Sequence, residues 1–118
     1  MNIIPIRQED SKHAGRTEIP EKFVTEGKPS YDTWLTEEFQ ANGKVRTGLW
    51  TGEPGAMTIR NYPSDEVFTI IYGKCEITNE DGSVVVLNAG ESALIRKGWS
   101  GKWRNVEKSC KCFMSVGG

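Results

Sequence analysis

Short alternating stretches separated by turn residues constrain this chain most. From Tyr31 onward, apolar and β-branched residues recur in runs of four to seven, bounded by Gly, Pro, Asn and Asp. Val45–Thr51 ends at Glu53-Pro54-Gly55, and Met57–Tyr62 ends at Pro63-Ser64-Asp65. Glu66–Tyr72 ends at Gly73, and Lys74–Thr78 runs into the Asp81-Gly82 dipeptide that suits a tight hairpin. Ser83–Leu87, Ser92–Ile95, Lys102–Val106 and Cys110–Val116 complete the set. No stretch keeps the 3.6-residue period of an amphipathic helix. Strands at such spacing predict an all-β sandwich or barrel.

The first 30 residues break this pattern. Asn2–Ile6 predicts a short edge strand. Residues 7–30 mix charge with Gly15, Pro20, Gly27 and Pro29, and Glu21–Glu26 has room for one helical turn. The expected organisation is an irregular N-terminal arm over 1–30 and a β-domain over 31–118. The arm either wraps the domain or exchanges with a second subunit. It holds His13, the single histidine, in a polar context that reads as surface.

Composition narrows the function classes. At 118 residues the chain has one modest core. Apolar residues at 36% and charged residues at 26% suit a globular protein. The net charge of -1 offers no field for nucleic acid. No apolar run spans a bilayer, and Met1–Ser11 lacks the pattern of a signal peptide. Three cysteines with no paired framework point to a reducing compartment, and so to the cytoplasm. Cys110 and Cys112 share a strand face about 6.6 Å apart, which is poor disulfide geometry. They and Cys75 read as buried thiols.

Two spacings carry chemistry. Glu66 is followed by six residues and Gly73. Gly90 is followed at set intervals by Arg96, Gly98, Gly101 and Asn105. Glu66, Gly73, Gly90, Gly98 and Asn105 resemble the two motifs of the cupin superfamily. Arg96 stands where that pattern has proline, and Gly101 where it has a metal-binding histidine. The first-motif histidines fall at Arg60 and Tyr62, or at Ile59 and Asn61, so no imidazole is supplied. A closer resemblance is to small cupins related to ureidoglycine aminohydrolase and ethanolamine-utilisation protein Q. It rests on Gly48-Leu49-Trp50, Pro54-Gly55, Asp65-Glu66, Gly101-Lys102-Trp103, Val106-Glu107 and Lys111, over roughly residues 45–116. The resemblance implies a single-domain jelly-roll β-barrel with Glu66 directed inward.

Without histidines, one carboxylate and neutral oxygens make a poor transition-metal site. No metal or other cofactor is expected. Glu66 is then either a buried carboxylate held by Arg60, Tyr62 or Arg96, or a working group in a pocket. Strand parity puts Phe68, Ile70 and Tyr72 on the face of Glu66. Trp50, Trp99 and Trp103 read as pocket or core aromatics. Together with Arg60, Arg96, Phe68 and Tyr72 they form the expected ligand-binding set for a small polar metabolite. One expectation is therefore a metal-independent binding module. The alternative is a small-molecule hydrolase, isomerase or lyase with Glu66 as acid/base and Tyr62 or Lys102 as its partner. Val67, Thr69 and Ile71 lie on the opposite face and are largely apolar, which predicts a homodimer.

Overall fold

The computed structural model describes residues 1–117. Eleven strands dominate it: β1 (Lys12–Glu18), β2 (Val24–Gly27), β3 (Ser30–Ala41), β4 (Gly43–Gly52), β5 (Gly55–Ile59), β6 (Asp65–Tyr72), β7 (Lys74–Asn79), β8 (Val84–Asn88), β9 (Ser92–Ile95), β10 (Gly101–Asn105) and β11 (Ser109–Val116). Two 3₁₀ turns, Gln8–Asp10 and Glu21–Phe23, are the helical content. The strands form two antiparallel sheets, ordered β1-β3-β4-β11-β6-β9 and β2-β5-β10-β7-β8.

Both sheets turn apolar side chains toward each other. Phe68, Ile70, Ile95 and Phe113 of the six-stranded sheet meet Met57, Cys75, Ile77, Leu87 and Trp103 of the five-stranded one. Period-two alternation explains the membership. In β6, Glu66, Phe68 and Ile70 are buried while Val67 is exposed. The hairpin between β7 and β8 closes as its residues dictate. Asp81 Oδ1 accepts from the Ser83 N–H at 2.9 Å, and Gly82 takes φ 88°.

Several local expectations change. Residues 1–6 join no sheet. Pro5 supplies no N–H, so it weakens any ladder there. Tyr31–Leu35 belongs to one long strand, β3, which runs on to Ala41 and turns at Asn42 into β4. The strand expected to reach Tyr62 stops at Ile59, because Asn61 adopts φ 51° and turns the chain. Tyr72 does not share the inward face of Glu66. Cys110 pairs with Tyr72 while Lys111 pairs with Ile70, so a bulge inserts Ile71 and breaks the alternation. Ile71 and Tyr72 are both exposed as a result.

The N-terminal arm is ordered into the sheets. β1 pairs with β3 in one sheet and β2 pairs with β5 in the other. The segment from Ile19 to Phe23 therefore crosses from sheet to sheet. His13 stacks on Trp34, with ring centroids 4.5 Å apart, and its Nε2 lies 2.9 Å from Asp32 Oδ1. That places it on the outside of β1, away from the interior.

Candidate functional site

A cavity of about 490 Å³ opens between the two sheets, beneath the crossing segment of the arm. Its volume lies in the range of small-molecule sites. Ile19, Pro20 and Phe23 wall it on the arm side. Tyr31, Arg46 and Trp50 reach it from β3 and β4, Met57 and Ile59 from β5, and Trp103 from β10. Glu66, Lys111, Phe113 and Ser115 line it from β6 and β11, and Tyr62 closes one side.

Glu66 is 6% exposed, and both its oxygens are engaged. Lys111 Nζ donates to Oε2 at 2.6 Å. Tyr62 Oη donates to Oε1 at 2.9 Å. Lys111 is itself only 4% exposed. Its ammonium sits 4.8 Å from the ring of Trp103, 4.9 Å from Phe68 and 5.0 Å from Trp50. Three ring faces thus supply the negative potential that the absent water would otherwise give, alongside the carboxylate. An unpaired charge at this depth is costly, and here each charge has a hydrogen-bonded counter-charge beside it.

The backbone explains how Tyr62 gets there. After the turn at Asn61, the Tyr62 N–H donates to the Trp99 carbonyl at 2.8 Å, and the Gly98 N–H donates to the Tyr62 carbonyl at 2.8 Å. The Asn61 N–H donates to Ser100 Oγ at 2.8 Å. The loop between β5 and β6 is thereby pinned to the loop before β10, and the phenol points at Glu66. Burial, then the charge of Glu66 and its hydrogen bond, push the Tyr62 hydroxyl far above the ordinary tyrosine range. Tyr62 is a proton donor to Glu66 across the whole physiological range.

Of the residues expected at the site, Glu66, Tyr62, Trp50 and Trp103 line the cavity. Phe68 lies under the Lys111 ammonium as part of the core. The others stand apart from it. Lys102 neighbours Trp103 in β10, and adjacent strand residues face opposite ways. With Trp103 buried inward, Lys102 is exposed, and it shares a shallow outer groove with Arg60. Arg60 does not touch Glu66. Arg96 pairs instead with Asp65, Nε to Oδ1 at 3.0 Å. The Lys97 N–H bonds to the same oxygen at 2.8 Å, and these two bonds hold the Asp65 carboxyl below its usual range. Trp99 packs on the core edge and donates its indole N–H to Asn79 Oδ1 at 3.0 Å. Tyr72 is outside for the reason already given.

Sequence reasoning passed over Lys111 as the partner of Glu66. The signal was present: Ser109, Lys111, Phe113 and Ser115 alternate inward along β11, so the lysine holds a core position. Arg46 was passed over too, although it shares a face of β4 with Trp50. Asn105, fully buried, accepts from the Trp103 indole at 2.9 Å and donates to the Glu53 carbonyl at 3.0 Å. It fixes the indole that covers Lys111. Among the described residues, no three His, Cys, Asp or Glu side chains come together as a metal-binding group.

The EutQ-like cupin domain family model matches residues 39–112. No curated protein matches the chain. Among solved structures, a protein of unknown function from Pseudomonas syringae is 19% identical, with a TM-score of 0.78. It covers 90% of this chain, but this chain spans only 44% of its length. The EutQ protein of Clostridium difficile is 13% identical, with a TM-score of 0.63, over 97% of this chain and 81% of its own. A DUF861 family protein from Thermotoga maritima is 28% identical, with a TM-score of 0.53, over 57% of this chain and 75% of its own. The family model spans more than half of the sequence, and this chain belongs to the EutQ-like cupin domain family.

Proposed function

We propose that this chain is a metal-independent binding module, a jelly-roll barrel whose two sheets close around a pocket for a small metabolite. The observation that carries this reading is the occupancy of both Glu66 oxygens by Lys111 and Tyr62. A transition metal would have to displace a buried ammonium from one oxygen and a phenol from the other. It would then find no imidazole, because neither Arg60 and Tyr62 nor Ile59 and Asn61, the two candidate pairs for the first cupin motif, nor Gly101 in the second is a histidine. The donor set does not fit such an ion. The same occupancy disfavours Glu66 as a general base, since each oxygen already accepts from a buried neighbour.

Thermal-shift measurements on the full chain in chelator, against a panel of small metabolites, test the proposal. A stabilising metabolite that is not turned over is the expected result. Metal-dependent binding, or turnover lost in Glu66→Gln, would overturn it.

Among the described residues, no helix is long and apolar enough to cross a membrane. A separate feature supports the wider setting we propose. Cys75, Cys110 and Cys112 are free thiols. Burial pushes Cys110 up to about 11, with Cys112 adding a little, so it stays protonated at neutral pH. Unreactive free thiols suit a reducing cytoplasm. The outer face of the six-stranded sheet carries Leu94, Val67 and Met114 as cross-strand neighbours in one row, all exposed. A second copy of the chain, related by a two-fold axis, would cover this uncharged row with itself. Light scattering at micromolar concentration should then report twice the 13.2 kDa chain mass. A monomer mass contradicts the dimer.

A further inference from the structure

The charges that line the cavity do not cancel. Glu66 and Lys111 neutralise each other, and Arg46, whose side chain is 41% exposed, is held by one long ion pair to Glu38 Oε2 at 3.5 Å. Its partner Glu38 lies outside the cavity and is shared, with its other oxygen 3.1 Å from Lys44 Nζ. Arg46 Nε is buried and, among the described residues, is the one buried side-chain donor with no acceptor. Glu38 Oε2 stands 3.5 Å from it, too far to accept its N–H. A buried donor left without an acceptor asks for an occupant.

Register places this donor usefully. Arg46 pairs with Ser115 of β11, and Ser115 pairs with Glu66 of β6. Arg46 and Glu66 are thus two strand spacings apart, about 10 Å between backbones. Trp50 lies four residues along the same face of β4, about 13 Å away. A molecule held at Arg46 would lay its body toward Trp50 and Trp103.

Resting on the metabolite-binding reading, we infer that the cavity takes a monocarboxylate with an apolar, one-ring or branched body, held through its carboxylate by Arg46 and the Ser115 hydroxyl. A guanidinium offers the fork that a carboxylate matches. One unit of negative charge balances the one excess cation. A dianion would bring one charge more than this single guanidinium matches. An ammonium ligand would meet two cations and a carboxylate with no free oxygen.

Calorimetry on the full chain with 3-phenylpropionate, 3-phenylpropionamide, 3-phenylpropylammonium and phenyl phosphate tests this. The acid should bind roughly tenfold or more tighter than the amide, from one charge-assisted bond pair. The ammonium should not bind. Arg46→Gln should abolish the preference for the acid over the amide, with an unchanged circular-dichroism spectrum showing that the variant is folded. Arg46→Lys should keep part of the preference. The inference is overturned if the amide, ammonium or phosphate ester matches the acid, or if the preference survives in Arg46→Gln. Amide binding with no gain from the carboxylate would overturn it and leave the metabolite-binding reading standing. No binding by any of the four would overturn it too, and the wider panel above then decides the reading beneath it.

Discussion

At the scale of residues, the interior is organised by one lysine. Lys111 is long enough to carry its ammonium from β11 to Glu66, and aromatic faces replace its hydration. A buried ion pair adds little net stability compared with an apolar pair, but losing one partner strands the other. Tyr62 strengthens the arrangement by donating to the second oxygen. Its proton stays on because burial disfavours the phenolate and because deprotonation would put a second negative charge beside Glu66. The Nε–H of Arg46 is buried without an acceptor, although its guanidinium pairs loosely with Glu38, which is why ligand selectivity is expected to follow that residue.

Elements fix where these side chains point. β3 carries a bulge between Leu35 and Glu37, opposite Gly48 of β4. A Cβ at Gly48 would run into the Trp34 carbonyl oxygen, a backbone atom that cannot swing aside. Gly48→Ala should therefore destabilise the fold by about 2 kcal/mol or more, read as a lowered urea midpoint. An unchanged midpoint would show that the two strands do not approach so closely. Such a contact was not legible in advance, because a glycine in an alternating run looks like any other. The strand positions from Val45 onward were legible, since alternation and turn dipeptides agree there. Bulges were not. The extra residue at Ile71 costs nothing visible in the pattern and moved Tyr72 out of the expected site. Glu66 is inward as the cupin resemblance implies, whereas Lys102 and Trp103, both expected at the site, are adjacent in β10 and only Trp103 faces inward. Lys111 went unassigned because a charged residue on an apolar face needs a partner on another strand, and pairing across β6 and β11 is not written in either strand alone.

On the scale of the whole molecule, the arm converts two sheets into an enclosure. β1 joins one sheet and β2 the other, so Ile19 and Phe23 are held over the cavity between them. The result is a domain in which Glu66 and Lys111 pair inside the enclosure, beside a cavity of about 490 Å³. That account stands on the Glu66–Lys111 pair. Its most direct test is global unfolding in urea of the native chain, Lys111→Met, Glu66→Gln and the double variant, each with and without chelator. The account predicts that each single change costs about 3–5 kcal/mol, that the double change costs clearly less than their sum, and that chelator moves no midpoint. A Lys111→Met chain as stable as the native one, or a native chain weakened by chelator, would contradict it.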